Sequence, residues 1–113
     1  MTYVNAFIKT CTAFLKVKRR IVLQLHVGDS TPEGFDASHT FENGLHHIEI
    51  ATEPSRGFLS VLAHEIVHAY MDEKHPRAPW HGFLFQRNAW LLEQHLKSKG
   101  YAVEKIFMLG VDK

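Results

Sequence analysis

The sequence predicts an α+β domain, and three observations carry that prediction. One long segment has its apolar residues at helical spacing, flanked by two further segments of the same kind. Between them lie short runs that alternate or carry a tight-turn dipeptide, as paired strands do. The whole is 113 residues with 45% hydrophobic content, the size and composition of one globular core. We therefore expect a single domain over 1–113, with an N-terminal helix, a small and mostly antiparallel sheet, a central helix and a second packing helix.

The first helix follows from Thr2 to Leu15, where Val4, Phe7, Ile8, Cys11, Phe14 and Leu15 fall on one face. Cys11 belongs to that face, which predicts a buried, inert thiol; a lone cysteine provides no disulfide framework. Ile21, Leu23, Leu25 and Val27 alternate with Val22, Gln24 and His26, as in a half-buried strand. A polar loop over 28–38 precedes Asn43-Gly44, the dipeptide of a tight hairpin joining strands near 37–41 and 45–51. The central helix runs from about Ser55, a suitable N-cap, to Lys74, where Pro76 stops it. The last helix spans Phe83 to Lys99, with Phe85, Ala89, Leu92 and Leu96 in one stripe and Gly100 as its cap. Trp80 and Trp90 are expected to pack into the core, and 101–109 to form a last strand or a packed tail.

The central helix carries His64-Glu65-Ile66-Val67-His68. Side chains four apart stack one turn above the other, so His64 and His68 can reach one tetrahedral ion through ring nitrogens. Glu65 is turned about 100° away, placed to touch a water on that ion without becoming a ligand. A random chain of this composition, with nine histidines, would show the pattern roughly one time in twenty. Val61, Val67 and Met71 flank the motif, so the helix should be buried, and buried His and Glu must be paired or bound to metal.

A catalytic zinc needs a third ligand, for which His75, His81, Glu93 and His95 are candidates. Met71 and Lys74 stand where an astacin-type site needs Gly and His, which excludes that class. His75 directly precedes Pro76 and so points into the loop. Glu93 would serve in a thermolysin-like arrangement. His81 fits best, at the end of Pro76-Arg77-Ala78-Pro79-Trp80, a stiff loop able to return a side chain to the helix. His46 and His47 are adjacent on a strand and face opposite ways, so both cannot serve one site; with His26 and His39 they read as surface histidines. Asp72, Glu73 and Asn88 are options for orienting the ligand imidazoles, and Tyr70, Tyr101 and Arg77 for an oxyanion contact.

The order His64-Glu65-x-x-His68, then His81-Gly82 thirteen residues on, then Phe85 and a further amphipathic helix, resembles the SprT-like zinc metalloproteases, the Spartan family. The likeness is strong over about 52–97. It implies a zincin-like fold holding one Zn²⁺ on His64, His68 and His81, with Glu65 as catalytic base and a protein or peptide as substrate. It also implies DNA-protein crosslink repair, since family members cut proteins attached to DNA. They often add a zinc ribbon or partner-binding tails, so this chain looks like the catalytic domain alone.

Charge adds little to that. Net charge is +1, which does not announce nucleic acid, although Lys16, Lys18, Arg19 and Arg20 form a short basic cluster able to contact phosphates. No signal peptide or membrane span is visible, which suggests an intracellular protein, cytoplasmic or nuclear; the sequence leaves the oligomeric state open, with a monomer expected. A nonproteolytic zinc or DNA-binding module and a metal-dependent nuclease are the alternative functions.

Overall fold

In the computed structural model, which describes residues 2–107, the elements run α1 (Thr2–Leu15), β1 (Ile21–His26), β2 (Ala37–Glu42), β3 (Leu45–Ala51), α2 (Phe58–Lys74) and α3 (Phe83–Ser98). Three helices and a three-stranded sheet form a compact α+β fold with a radius of gyration of 12.6 Å. Asn43 (φ 54°) and Gly44 (φ 75°) both take left-handed backbone between β2 and β3, the requirement of the tight hairpin turn.

The sheet is mixed, not mostly antiparallel. Its order is β1-β3-β2, with β2 antiparallel and β1 parallel to the central β3. The reason is topological: the loop after β1 carries the chain past the central position to the far edge, and the hairpin return then fills the middle. β1 also ends sooner than its alternation suggests. Leu25 is exposed at the strand's end and Val27 is 96% exposed beyond it, because none of the described helices packs on this edge strand.

Register fixes which side chains face the helices. Leu23, Ile48 and His39 stand in one row and Ile21, His46 and Phe41 in the next. Ile48, Ile50 and His46 are fully buried on this face. α2 packs on β2 and β3 and also touches α1 and α3, so it lies at the centre of the molecule. Every residue from Ser60 to Ala69 is buried. Leu62 and Ile66, both fully buried, each contribute roughly 1.5–3 kcal/mol by leaving water.

Phe7, Cys11 and Leu15 are the buried stripe of α1, while Phe14 stays partly exposed and stacks on His95 of α3. Burial pushes the Cys11 thiol far up, consistent with an inert side chain. Phe85, Ala89, Leu92 and Leu96 are the buried stripe of α3. Gly100, at φ 89°, follows the C-cap Lys99. Trp90 is 53% exposed and Trp80 57%, so neither anchors the core as expected.

Ser55 does not cap α2. Its hydroxyl donates instead to Asp36 (2.8 Å), and the helix begins three residues later, after Gly57 at φ 89°. Over 101–107 the chain is an irregular packed segment with Val103 and Ile106 buried; the rest of the expected tail lies outside the described residues.

Candidate metal centre

His64 and His68 project from one face of α2, and His81 returns from the loop ahead of α3 to meet them. The Nε2 atom of His81 lies 3.2 Å from that of His64 and 3.0 Å from that of His68. A tetrahedral zinc with nitrogens at 2.0–2.1 Å spaces those nitrogens about 3.3 Å apart, so the three imidazoles lie at the separation one such ion imposes. They are close enough to share one metal ion. Glu65, beside His64, is fully buried.

The tautomer of His64 supports that donor set. Its Nδ1 lies 2.6 Å from the carbonyl oxygen of Ile106, and a carbonyl can only accept. Nδ1–H therefore donates outward, leaving the Nε2 lone pair of the neutral ring aimed at the other two histidines. Ring contacts fix the remaining orientations. Trp80 stacks on His68 at 4.1 Å between centroids and 16° between planes. Phe85, buried in α3, packs against His64, His68 and His81 at 4.9, 4.4 and 4.9 Å. A hollow of about 60 Å³ opens beside the centre between His68, Asp72, Pro79, Trp80 and His81.

Bringing His81 back requires an unusual backbone. His81 has φ 54°, a left-handed conformation that costs a residue with a Cβ about 1 kcal/mol or more. Its carbonyl accepts from Gln86 Nε2 (3.1 Å), and the Gly82 N–H donates to Pro79 O (3.0 Å), closing the turn. Gly82 itself has ordinary extended dihedrals. It is glycine for room: a Cβ there would stand 3.0 Å from Pro79 Cβ and 3.1 Å from Pro79 O.

The other candidate ligands are elsewhere. His75 caps the C-terminus of α2 and its ring lies 5.9 Å from that of Tyr70. His95 stacks on Phe14. Glu93 is buried, but its Oε1 accepts from the Ile106 N–H (3.0 Å) and its Oε2 from Lys97 Nζ (2.9 Å). The Asn88 amide is turned onto its own helix, donating to Leu84 O, and orients no ligand. Tyr101 packs against Tyr3 and Phe7 on α1.

Two histidines expected at the surface are internal. His46 is fully buried and the His39 side chain only 2% exposed. His46 Nε2 donates to Glu73 Oε2 (2.6 Å), and the Glu73 carboxylate also accepts the backbone N–H groups of Lys18 (2.8 Å) and Arg19 (2.9 Å). The other ring nitrogen, His46 Nδ1, lies 2.9 Å from His39 Nε2, and His39 Nδ1 faces Asp72 at 3.6 Å. The His39 ring lies 6.4 Å from that of His68 and nearly parallel to it. Partial burial raises the Glu73 carboxyl, but the Lys18 amide, His46 and the Arg19 amide outweigh this and hold it below the usual carboxylate range. At Asp72 the balance reverses: burial pushes the carboxyl up and the charges of His46 and His68 only partly offset it. Sequence parity held the clue, since His46 shares its strand face with Ile48 and Ile50.

The basic cluster contributes through its backbone. Lys16, Lys18, Arg19 and Arg20 are exposed in the α1–β1 turn, and it is main-chain N–H groups of that turn that bind Glu73. Among the described residues no helix is long and apolar enough to cross a membrane. In comparison with known proteins, no family, curated protein or solved structure matches this chain.

Proposed function

We propose that the protein is a zinc-dependent endopeptidase, with His64, His68 and His81 as ligands and Glu65 as general base. The observation that carries this is the convergence of three Nε2 atoms, two from α2 and one from the following loop, with a fully buried carboxylate next in sequence to His64. Three-ligand sites are the catalytic kind, whereas structural zinc is normally closed by four protein ligands. Among the described residues the group contains three.

His64, His68 and His81 would hold the zinc, which would supply Lewis acidity enough to bring the pKa of a water down to about 7. Glu65 takes the proton of the attacking water and delivers it to the departing amine. Trp80 and Phe85 keep the imidazoles oriented. Of the sheet, β2 is an edge strand packed on α2, while β3 is hydrogen-bonded on both sides. An extended peptide can therefore add only to an edge, and β2 is the edge strand packed on the helix that carries His64 and His68. Similarity to the SprT-like motif supports DNA-associated proteins as the substrate class.

The test is Glu65→Gln beside wild type, with bound zinc and cleavage measured on a DNA-bound protein and on the nucleic acid alone. Retained zinc with lost proteolysis is expected. Unimpaired proteolysis would remove Glu65 from the mechanism, and cleavage of nucleic acid alone would favour a nuclease.

A further inference from the structure

Glu93 is a buried carboxylate that the reaction does not use, and burying a carboxylate is costly unless it is fully engaged. Its two oxygens are spent differently. Oε2 meets Lys97, which is 46% exposed, one turn along α3. Oε1 crosses to the segment after α3 and takes the Ile106 N–H at 3.0 Å. The other side of that residue, its carbonyl, is the acceptor for His64 Nδ1 at 2.6 Å. One fully buried residue thus links an α3 carboxylate to an imidazole on α2.

The segment is arranged for this. Lys105 takes left-handed backbone (φ 50°) immediately before Ile106. Two residues earlier in the strap, the Glu104 N–H donates to Ser60 Oγ (2.9 Å), one turn before His64 on α2. Residues 103–107 are therefore a strap pinned to α2 at Ser60 and His64 and to α3 at Glu93. The α3 pin is the one that a side chain makes to the same residue that holds the imidazole.

We infer that Glu93 is a positioning residue of the metal centre: by holding the Ile106 N–H, it fixes the backbone at Ile106 and so the carbonyl on the other side of that Cα, which sets the tautomer and ring plane of His64. The inference rests on the metal reading above. It assigns Glu93 a role other than ligand, and it makes the strap part of the site. Groups that orient a ligand imidazole typically matter 10–100-fold in metal affinity.

The experiment is competitive zinc titration against a chromogenic chelator, using the full chain and four variants, each checked for folding by circular dichroism. Glu93→Ala and Glu93→Asp both withdraw the acceptor from the Ile106 N–H and should weaken zinc binding by about 10–100-fold. Glu93→Gln keeps an acceptor oxygen at that distance and should stay within about threefold of wild type. Lys97→Met removes the ion pair but leaves the Ile106 bond, and should bind like wild type. Nitrogen chemical shifts of His64 in the zinc-loaded chain should report an Nδ1–H tautomer in wild type and Glu93→Gln. Equal affinities across wild type, Ala and Asp would overturn the inference; should the Ala variant not fold, equality of Asp with Gln does the same. A wild-type chain that binds no zinc would instead overturn the metal reading itself.

Discussion

Replacing Gly82 with Ala probes the His81-Gly82 pair through a defined steric conflict. The backbone there, φ −79° and ψ −165°, is open to alanine, so no conformational penalty arises. Contact is the difficulty. The new methyl would stand 3.0 Å from Pro79 Cβ, 3.1 Å from Pro79 O and 3.5 Å from Pro79 Cγ, where carbon contacts settle at about 3.5–4.0 Å. Neither close atom belongs to a flexible side chain, so the turn itself must open. Overpacking of this kind costs about 1–3 kcal/mol, offset by roughly 0.4–1 kcal/mol from a stiffer unfolded chain. A net loss of about 1–2 kcal/mol corresponds to a fall in Tm of roughly 4–10 °C for a domain of this size. The same movement carries His81 away from His64 and His68, so zinc affinity should fall at least about tenfold, the scale on which lost ligand orientation acts. Calorimetry of the metal-free chain and chelator competition measure the two effects separately. A Gly82→Ala chain with unchanged Tm and unchanged zinc affinity would refute the close-approach account of this glycine.

Phe85→Ala removes a buried ring that touches all three imidazoles, and should cost about 3–5 kcal/mol in denaturant unfolding while weakening zinc binding. Glu73→Gln should cost about 1–3 kcal/mol near neutral pH by loosening its bonds to His46 and the 18–19 turn. Because the native Glu73 carboxyl is held below its unfolded value near 4.5, its contribution is present above that pH and fades as pH falls through the lowered native value. The gap between wild type and Glu73→Gln should therefore narrow on acidification below about 4.5, and a gap independent of pH would contradict this. Lys18→Glu combined with Arg19→Glu leaves the backbone bonds to Glu73 in place, so Tm should hold. If these side chains bind phosphates, the double variant weakens DNA binding and flattens its salt dependence by about one unit of slope for each phosphate no longer neutralised.

Much of this chain could be read from local patterns. The spacing of Phe85, Ala89, Leu92 and Leu96 gave α3 its buried face, Asn43-Gly44 gave the hairpin, and four-residue spacing put His64 and His68 on one side of α2. Each of these is a short-range consequence of helix or turn geometry, which a sequence carries directly. The sheet order was not legible in that way. Whether β3 lies in the middle or at the edge depends on where a long loop sets down the next strand, and its polar sequence does not encode that distance. The inward placement of His39 was equally hidden, because it follows from pairing with Ile48 across strands.

Taken by itself, the sequence determined the local pieces of the metal centre: two imidazoles one turn apart, a carboxylate beside them, and a stiff loop ending in His81-Gly82. Only the tertiary structure decided how those pieces close, through the left-handed turn at His81, the Trp80 and Phe85 rings, and the Ile106 carbonyl supplied from the far end of the described chain. The physical reason is range. Helical periodicity fixes neighbours within a turn, whereas the partner that selects a tautomer at His64 lies 42 residues away and meets it only when the core packs.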